Sequence, residues 1–180
     1  IPQTSIGDIE LTKVEDYVRA IQKRETDEKI EITENLLNNL NIIKDGRITL
    51  GGLLFFFLHP QKYRPAFCVK AISFFGNSIG GTDYRSSKDI EGTIPEMFEE
   101  TMSFFTSNLN HIQDGQNFNK VGKLEIAQTA LEELLQNALV HRDYSKNSPV
   151  RVMIFDNRIE IVSPGALPNS LTIENLKMGN

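Results

Sequence analysis

The sequence predicts an α+β protein in which a helical lobe is followed by a mixed α/β part. Three observations carry this. Over the first 58 residues apolar side chains recur every three or four positions, the period of a half-buried helix. From Phe67 onward the apolar residues fall into short runs bounded by proline and glycine, as buried strands do. Near the C-terminal end two alternating runs flank Asp156-Asn157, a hairpin pattern. With 180 residues, 39% hydrophobic and 24% charged, the chain has an ordinary globular composition. It is long enough for one domain or for two small lobes.

In the first lobe, Thr12 followed by Glu15 has the spacing of a capping box, and Val14, Tyr17, Val18 and Ile21 then predict a helix from about residue 13 to about residue 24. Leu36, Leu37, Leu40 and Ile43 predict a second helix. Lys44-Asp45-Gly46 turns into the short extended Arg47–Leu50, and a third helix is expected over Gly51–Leu58, broken by His59-Pro60. This order resembles the start of a winged helix, but no basic face accompanies it, so a packing lobe is the expectation.

Phe67–Phe75 then reads as a strand closed by Gly76, and Tyr84–Ile90 as a second extended piece. Thr93 and Glu96 form another capping-box spacing, opening a helix with a stripe of Phe98, Met102, Phe105 and Leu109. A polar loop over His111–Asn117 leads to a strand near Asn119–Ile126. The helix after it has Ala127, Leu131, Leu134, Leu135 and Ala138 as its core-facing stripe. Val150–Phe155 and Ile159–Val162 form the closing hairpin. The domain boundaries expected are 1–58, 59–118 and 119–180.

A net charge of −5 argues against strong non-specific nucleic-acid binding by this chain, because phosphate contacts need clustered Lys and Arg. One cysteine, Cys68, rules out an internal disulfide and fits a reducing compartment, with the cytoplasm as the expectation. The apolar run Leu53–Leu58 is too short to span a bilayer, and Ile1-Pro2-Gln3-Thr4 has no signal-peptide character. A start without Met and an end at Asn180 suggest a piece of a longer protein.

Chemistry is concentrated in one helix. Glu133 and Asn137 stand four residues apart and project to one side, at the border of the apolar stripe, and His141 continues the line. Asn supplies a neutral oxygen ligand for Mg²⁺, while Glu can orient or deprotonate a water. Other patterns fail. The Gly-rich stretch Gly76–Gly81 has no Gly-Lys-Ser/Thr after it, so it is no Walker loop and a helicase motor is not expected. His141-Arg142-Asp143 is similar to the catalytic loop of protein kinases, but that motif requires Asn where Ser148 stands. Arg142 and Asp143 are expected to stabilise the helix end or to pair with neighbours. His59, His111 and His141 lie far apart without a cysteine partner, which speaks against zinc.

The run Ala130-Leu131-Glu132-Glu133-Leu134-Leu135-Gln136-Asn137-Ala138-Leu139-Val140-His141-Arg142-Asp143-Tyr144-Ser145 resembles the signature helix of the divergent Bergerat-type (GHKL-like) ATPase module of bacterial transcriptional regulators and RecG-like helicase relatives. Pro149–Val152 and Arg158–Pro168 resemble its hairpin and loop. Such proteins usually carry a Schlafen AlbA-type domain ahead of this region. The resemblance implies that residues 119–180 begin a Bergerat-like ATP-binding fold with ATP and Mg²⁺ as cofactors and at most a weak ATPase activity. Glu133 would be the water-polarising carboxylate and Asn137 the Mg²⁺ ligand. His141, Ser163 and Gly165 would lie at the nucleotide, with Gly165 in the loop beneath adenine. DNA would be contacted by domains outside this chain, and a homodimer is compatible with such a module. The wider superfamily has Asp-x-Gly-x-Gly where this chain has Ser163-Pro164-Gly165, a neutral hydroxyl in place of a carboxylate. The alternative is therefore a degenerate ATPase fold serving as a dimerisation or protein-contact scaffold.

Overall fold

The computed structural model describes residues 4–22, 30–79, 83–112 and 123–166. The fold is α+β, with helices predominating first and a four-stranded sheet later. The chain divides into two compact units, residues 1–69 with 89–107, and residues 70–88 with 108–180. No helix among the described residues is long and apolar enough to cross a membrane.

The first unit opens with a 3-10 turn, Ile6–Asp8, on which Ser5 and Asp8 form a reciprocal cap. Helix α1 spans Leu11–Gln22. The box expected at Thr12 and Glu15 is not used, because the helix already begins one residue before Thr12, whose hydroxyl donates to Glu10. The reason is tertiary. Ile9 bridges Phe57 in antiparallel fashion and the Glu10 N–H donates to Phe56 O at 2.7 Å, which keeps the chain extended as far as Glu10. Val14 and Val18 are buried, whereas Tyr17 and Ile21 of the expected stripe are exposed.

Helix α2, Glu34–Asn39, is capped by Thr33, whose hydroxyl accepts the Leu36 N–H. Ile43, expected on this helix, lies instead on β1 (Ile43–Lys44), which pairs with β2 (Arg47–Ile48) so that Ile43 faces Ile48 and Lys44 faces Arg47. The two linking residues, Asp45 and Gly46, both have positive φ, at 50° and 68°. A two-residue hairpin with both φ positive matches the twist of its strands, and Asp-Gly tolerates it well. Helix α3 (Leu50–Phe56) follows, capped by Thr49. It lies so close to the preceding chain that a Cβ at Gly52 would stand 2.2 Å from Ile42 O, so only glycine permits the packing. Ile42, Ile43, Ile48, Leu53, Phe56 and Phe57 join Val14, Val18 and Leu37 in one core. Of the triple-phenylalanine run, Phe55 alone is exposed.

After β3 (Val69–Phe74) and β4 (Tyr84–Ile90), helix α4 covers Ile94–Asn108. The Glu96 carboxylate accepts from both the N–H and the hydroxyl of Thr93, so half of the expected box forms. The buried face holds Ile94, Met97, Thr101, Phe104 and Phe105, while Phe98 and Met102 are only half-buried. The stripe was displaced by one residue because its centre is polar. Thr101 is fully buried and returns its hydroxyl proton to Met97 O, which an apolar pattern cannot register.

In the second unit the sheet order is β4-β3-β7-β8, with β7 at Val150–Ile154 and β8 at Ile159–Val162. The hairpin is antiparallel, pairing Arg151 with Val162 and Ile154 with Ile159. The expected loop after α4 begins instead as strand β5 (His111–Ile112), which pairs with β6 (Lys123–Leu124). The remainder of that expected loop, and residues 119–122 of the expected strand, lie outside the described residues. Helix α5 spans Gln128–Val140 and packs against β8. Leu131, Leu135, Ala138 and Leu139 are buried, but Ala127 and Leu134 of the predicted stripe are exposed.

Candidate functional site

The Glu133–Asn137–His141 line lies on the solvent side of α5. All three are exposed, so they stand away from the apolar stripe rather than at its border. At 100° per residue Glu133 is about half a turn from Leu131 and Leu135, and Asn137 and His141 follow it at successive turns. None of the three side chains makes a hydrogen bond among the described residues. Their carboxylate, carboxamide and imidazole are thus available to a ligand.

The C-terminal turn of this helix is held by the residues that follow it. Arg142 is buried and donates to the carbonyls of Lys146 and Ser148, with its guanidinium 5.0 Å from the Tyr144 ring centre. The Tyr144 hydroxyl donates to Leu139 O at 2.6 Å, satisfying one of the carbonyls a helix leaves unpaired at its end. Burial pushes the Tyr144 phenol up to about 12, against the opposing effect of the Arg142 charge. Asp143 accepts on one oxygen, Oδ1, from both the hydroxyl and the N–H of Ser145. Those bonds hold its carboxyl below the usual carboxylate range, with smaller help from Lys146 and Arg142. Arg142 and Asp143 therefore pair with their neighbours in the loop after the helix, and Tyr144 closes the helix end.

The turn Ser163–Gly165 docks on the same region. Ser163 Oγ donates to Ala138 O at 2.9 Å, and the Asp143 N–H donates to Pro164 O at 2.7 Å. Gly165 has φ +139°, and a Cβ there would lie 3.2 Å from the Asp143 Cβ, so both backbone and space favour glycine. The structure thus seats the turn on Ala138 and Asp143 at the C-terminal end of α5, while Asn137 and His141 lie on the exposed side of that helix, with Glu133 one turn further back. A carboxamide and a carboxylate without protein partners at i and i+4 fit a hydrated Mg²⁺ and its phosphates as a donor set.

Among the described residues, two cavities lie away from this helix. One, of about 260 Å³, is in the first unit between Asp8, Glu10, Phe57, His59 and Tyr63. The other, of about 190 Å³, is in the second unit beside Glu125, Phe155 and Arg158. The first unit also has a charged cluster in which Lys13 pairs with Glu96 at 2.8 Å and with Glu10 at 3.0 Å. Burial disfavours both charges, but hydrogen bonds between them and from Thr93 outweigh it, raising the Lys13 ammonium and lowering the Glu96 carboxyl.

Residues 147–180 match the family model described as "Putative ATP-dependent DNA helicase recG C-terminal". The match is short and ATPase-like. It includes Ser163 and Gly165, while Glu133, Asn137 and His141 precede it, and its portion from 167 onward lies outside the described residues. No curated protein matches the sequence. Among solved structures, the DIP2311 protein of Corynebacterium diphtheriae is similar in fold, with a TM-score of 0.62 at 20% identity over 97% of this chain. This chain spans 34% of that protein's length.

Proposed function

We propose that this chain is a nucleotide-responsive module that takes ATP with Mg²⁺ along the exposed face of α5, within a bacterial transcriptional regulator whose DNA-contacting part lies in other domains. The observation that carries this reading is the docking of the Ser163–Gly165 turn, through Ser163 Oγ and Ala138 O, at the C-terminal end of the helix that bears Glu133, Asn137 and His141. The ATPase-like match over 147–180 supports it. Bound Mg²⁺ would supply charge neutralisation at the phosphates. Asn137 would hold the ion through a neutral oxygen, Glu133 would orient a water, and His141 would approach the bound nucleotide from the end of the helix. Any hydrolysis is slow, and no strand unwinding is assigned to this chain.

The test is a calorimetric titration of Mg·ATP into the full-length protein and its Asn137→Ala variant. Binding weakened at least tenfold in the variant supports the proposal. Equal binding by both proteins, or none by the unaltered one, overturns it. The second reading, a scaffold that has lost its nucleotide, is favoured by one feature: Ser163 stands where the related modules carry a carboxylate, and its proton goes to the helix. That reading expects no nucleotide binding and an assembly state, measured by sedimentation, that Mg·ATP leaves unchanged.

A further inference from the structure

We infer that Asp143, which packs against Gly165, supplies the carboxylate that reads the base of the bound nucleotide, through the Oδ2 oxygen that Ser145 leaves unbonded. The inference rests on the nucleotide reading above and adds to it a specificity-determining residue. Asp143 is placed by main chain as well as by side chain. Its N–H holds Pro164 O at 2.7 Å, and its Cβ lies 3.2 Å from where a Cβ on Gly165 would stand. Both hydrogen bonds from Ser145 fall on Oδ1, so the carboxylate is oriented while Oδ2 takes none among the described residues.

The other polar atoms of the turn follow the same logic. Ser163 Oγ has given its only proton to Ala138 O, which leaves it lone pairs alone to offer. Pro164 has no N–H, and its carbonyl is taken by Asp143. The side chains at the turn thus present acceptors only, and the strongest is a carboxylate held ionised at neutral pH. A rim of acceptors selects a base edge that donates. The 6-amino group of adenine does so, as does the N1–H and 2-amino edge of guanine, whereas an unsubstituted purine does neither. The charges of Lys146 and Arg142 help to keep the Asp143 carboxylate ionised.

Asp143→Asn tests this with little change of shape. The amide oxygen can still accept from Ser145, while an NH₂ donor replaces Oδ2. The full-length protein and the variant are titrated with the Mg²⁺ complexes of ATP, GTP and purine riboside triphosphate, and with Mg·tripolyphosphate as a base-free probe. In the unaltered protein the tighter of ATP and GTP should bind about tenfold or more better than purine riboside triphosphate. Which of the two is tighter identifies the base. In Asp143→Asn that gap should close, with tripolyphosphate affinity unchanged. A gap absent from the unaltered protein, or persisting in the variant, overturns the role of Asp143 and leaves the nucleotide reading standing. If the unaltered protein binds none of the four probes, both fail. Should Asp143→Asn not fold, the comparison of ATP and GTP with purine riboside triphosphate on the unaltered protein still decides.

Discussion

Helix α5 and the segment that follows it carry polar residues of the same types, yet the two use them in opposite ways. From Arg142 to Ser145 the side chains bond to the chain itself. Arg142 holds two carbonyls, Tyr144 closes the helix on Leu139 O, and Asp143 captures Ser145. From Glu133 to His141 the polar side chains face solvent and bond to nothing among the described residues. The contrast separates polar groups that hold the fold from those that the fold leaves to solvent. A buried polar group must be satisfied internally, because an unmade hydrogen bond there costs about 1–3 kcal/mol, whereas an exposed one is satisfied by water at no cost to stability. Asp143 belongs to both sets, since one carboxylate oxygen is engaged by the fold and the other is not.

The comparison can be broken most sharply at the groups that hold the fold. Arg142→Leu should lower stability by about 3 kcal/mol, since the carbonyls of Lys146 and Ser148 lose their donor. Urea unfolding measures this, and a loss under 1 kcal/mol would mean that water replaces the guanidinium. The buried side chain of Gln61 in the first unit obeys the same rule. Its amide donates to Phe67 O and Gly92 O and accepts the Gly92 N–H. Gln61→Leu should cost about 2–3 kcal/mol in the same assay.

A smaller effect is expected at Tyr144. Tyr144→Phe should cost about 1 kcal/mol at neutral pH through loss of the bond to Leu139 O. The phenol's folded-state value lies above its ordinary 10, at about 12, so its contribution is complete below pH 10 and fades as pH rises to 12. The gap between the unaltered protein and Tyr144→Phe should therefore narrow over that window, which denaturation at stepped alkaline pH would show. A constant gap would contradict the burial of this hydroxyl.

The Lys13–Glu96 pair gives a weaker dependence, being partly exposed. Glu96 is lowered from its ordinary 4.5, so its stabilising contribution is present above that value and is lost as the pH falls below it. Lys13 is raised from 10.5, so its contribution holds below that value and is lost as the pH rises past it. Glu96→Gln should flatten the acid limb of the stability profile and leave neutral-pH stability slightly reduced. The smallest effect lies on the outward face. Glu133→Gln and Asn137→Ala should each change thermal stability by no more than about 0.5 kcal/mol, although Asn137→Ala should weaken Mg·ATP binding at least tenfold if the proposal holds. A large thermal penalty would place those groups in the framework.

What could be read from the chain alone was whatever depends on local chemistry. The Asp45-Gly46 turn, the strands around Ala71, Ser87 and Val152, the hairpin at Asp156-Asn157 and the helix bearing Glu133 and Asn137 all follow from residue type and period. So does the line of side chains along that helix, because a four-residue spacing keeps one face wherever the helix packs. The face itself could not be assigned in this way. Leu134, expected to face the core, is exposed, while the polar Thr101 and Gln61 are buried.

Tertiary structure decided each of these, because burial depends on what another segment offers. Thr101 finds Met97 O within its own helix, but Gln61 finds Gly92 thirty-one residues away, and no local pattern encodes that separation. The start of α1 was likewise set from a distance, by the pairing of Ile9 and Glu10 with Phe57 and Phe56. Asp143 shows the same division within one side chain. Its bond to Ser145 is local and implicit in the sequence, while its position against Gly165 exists only because the chain returns through β8.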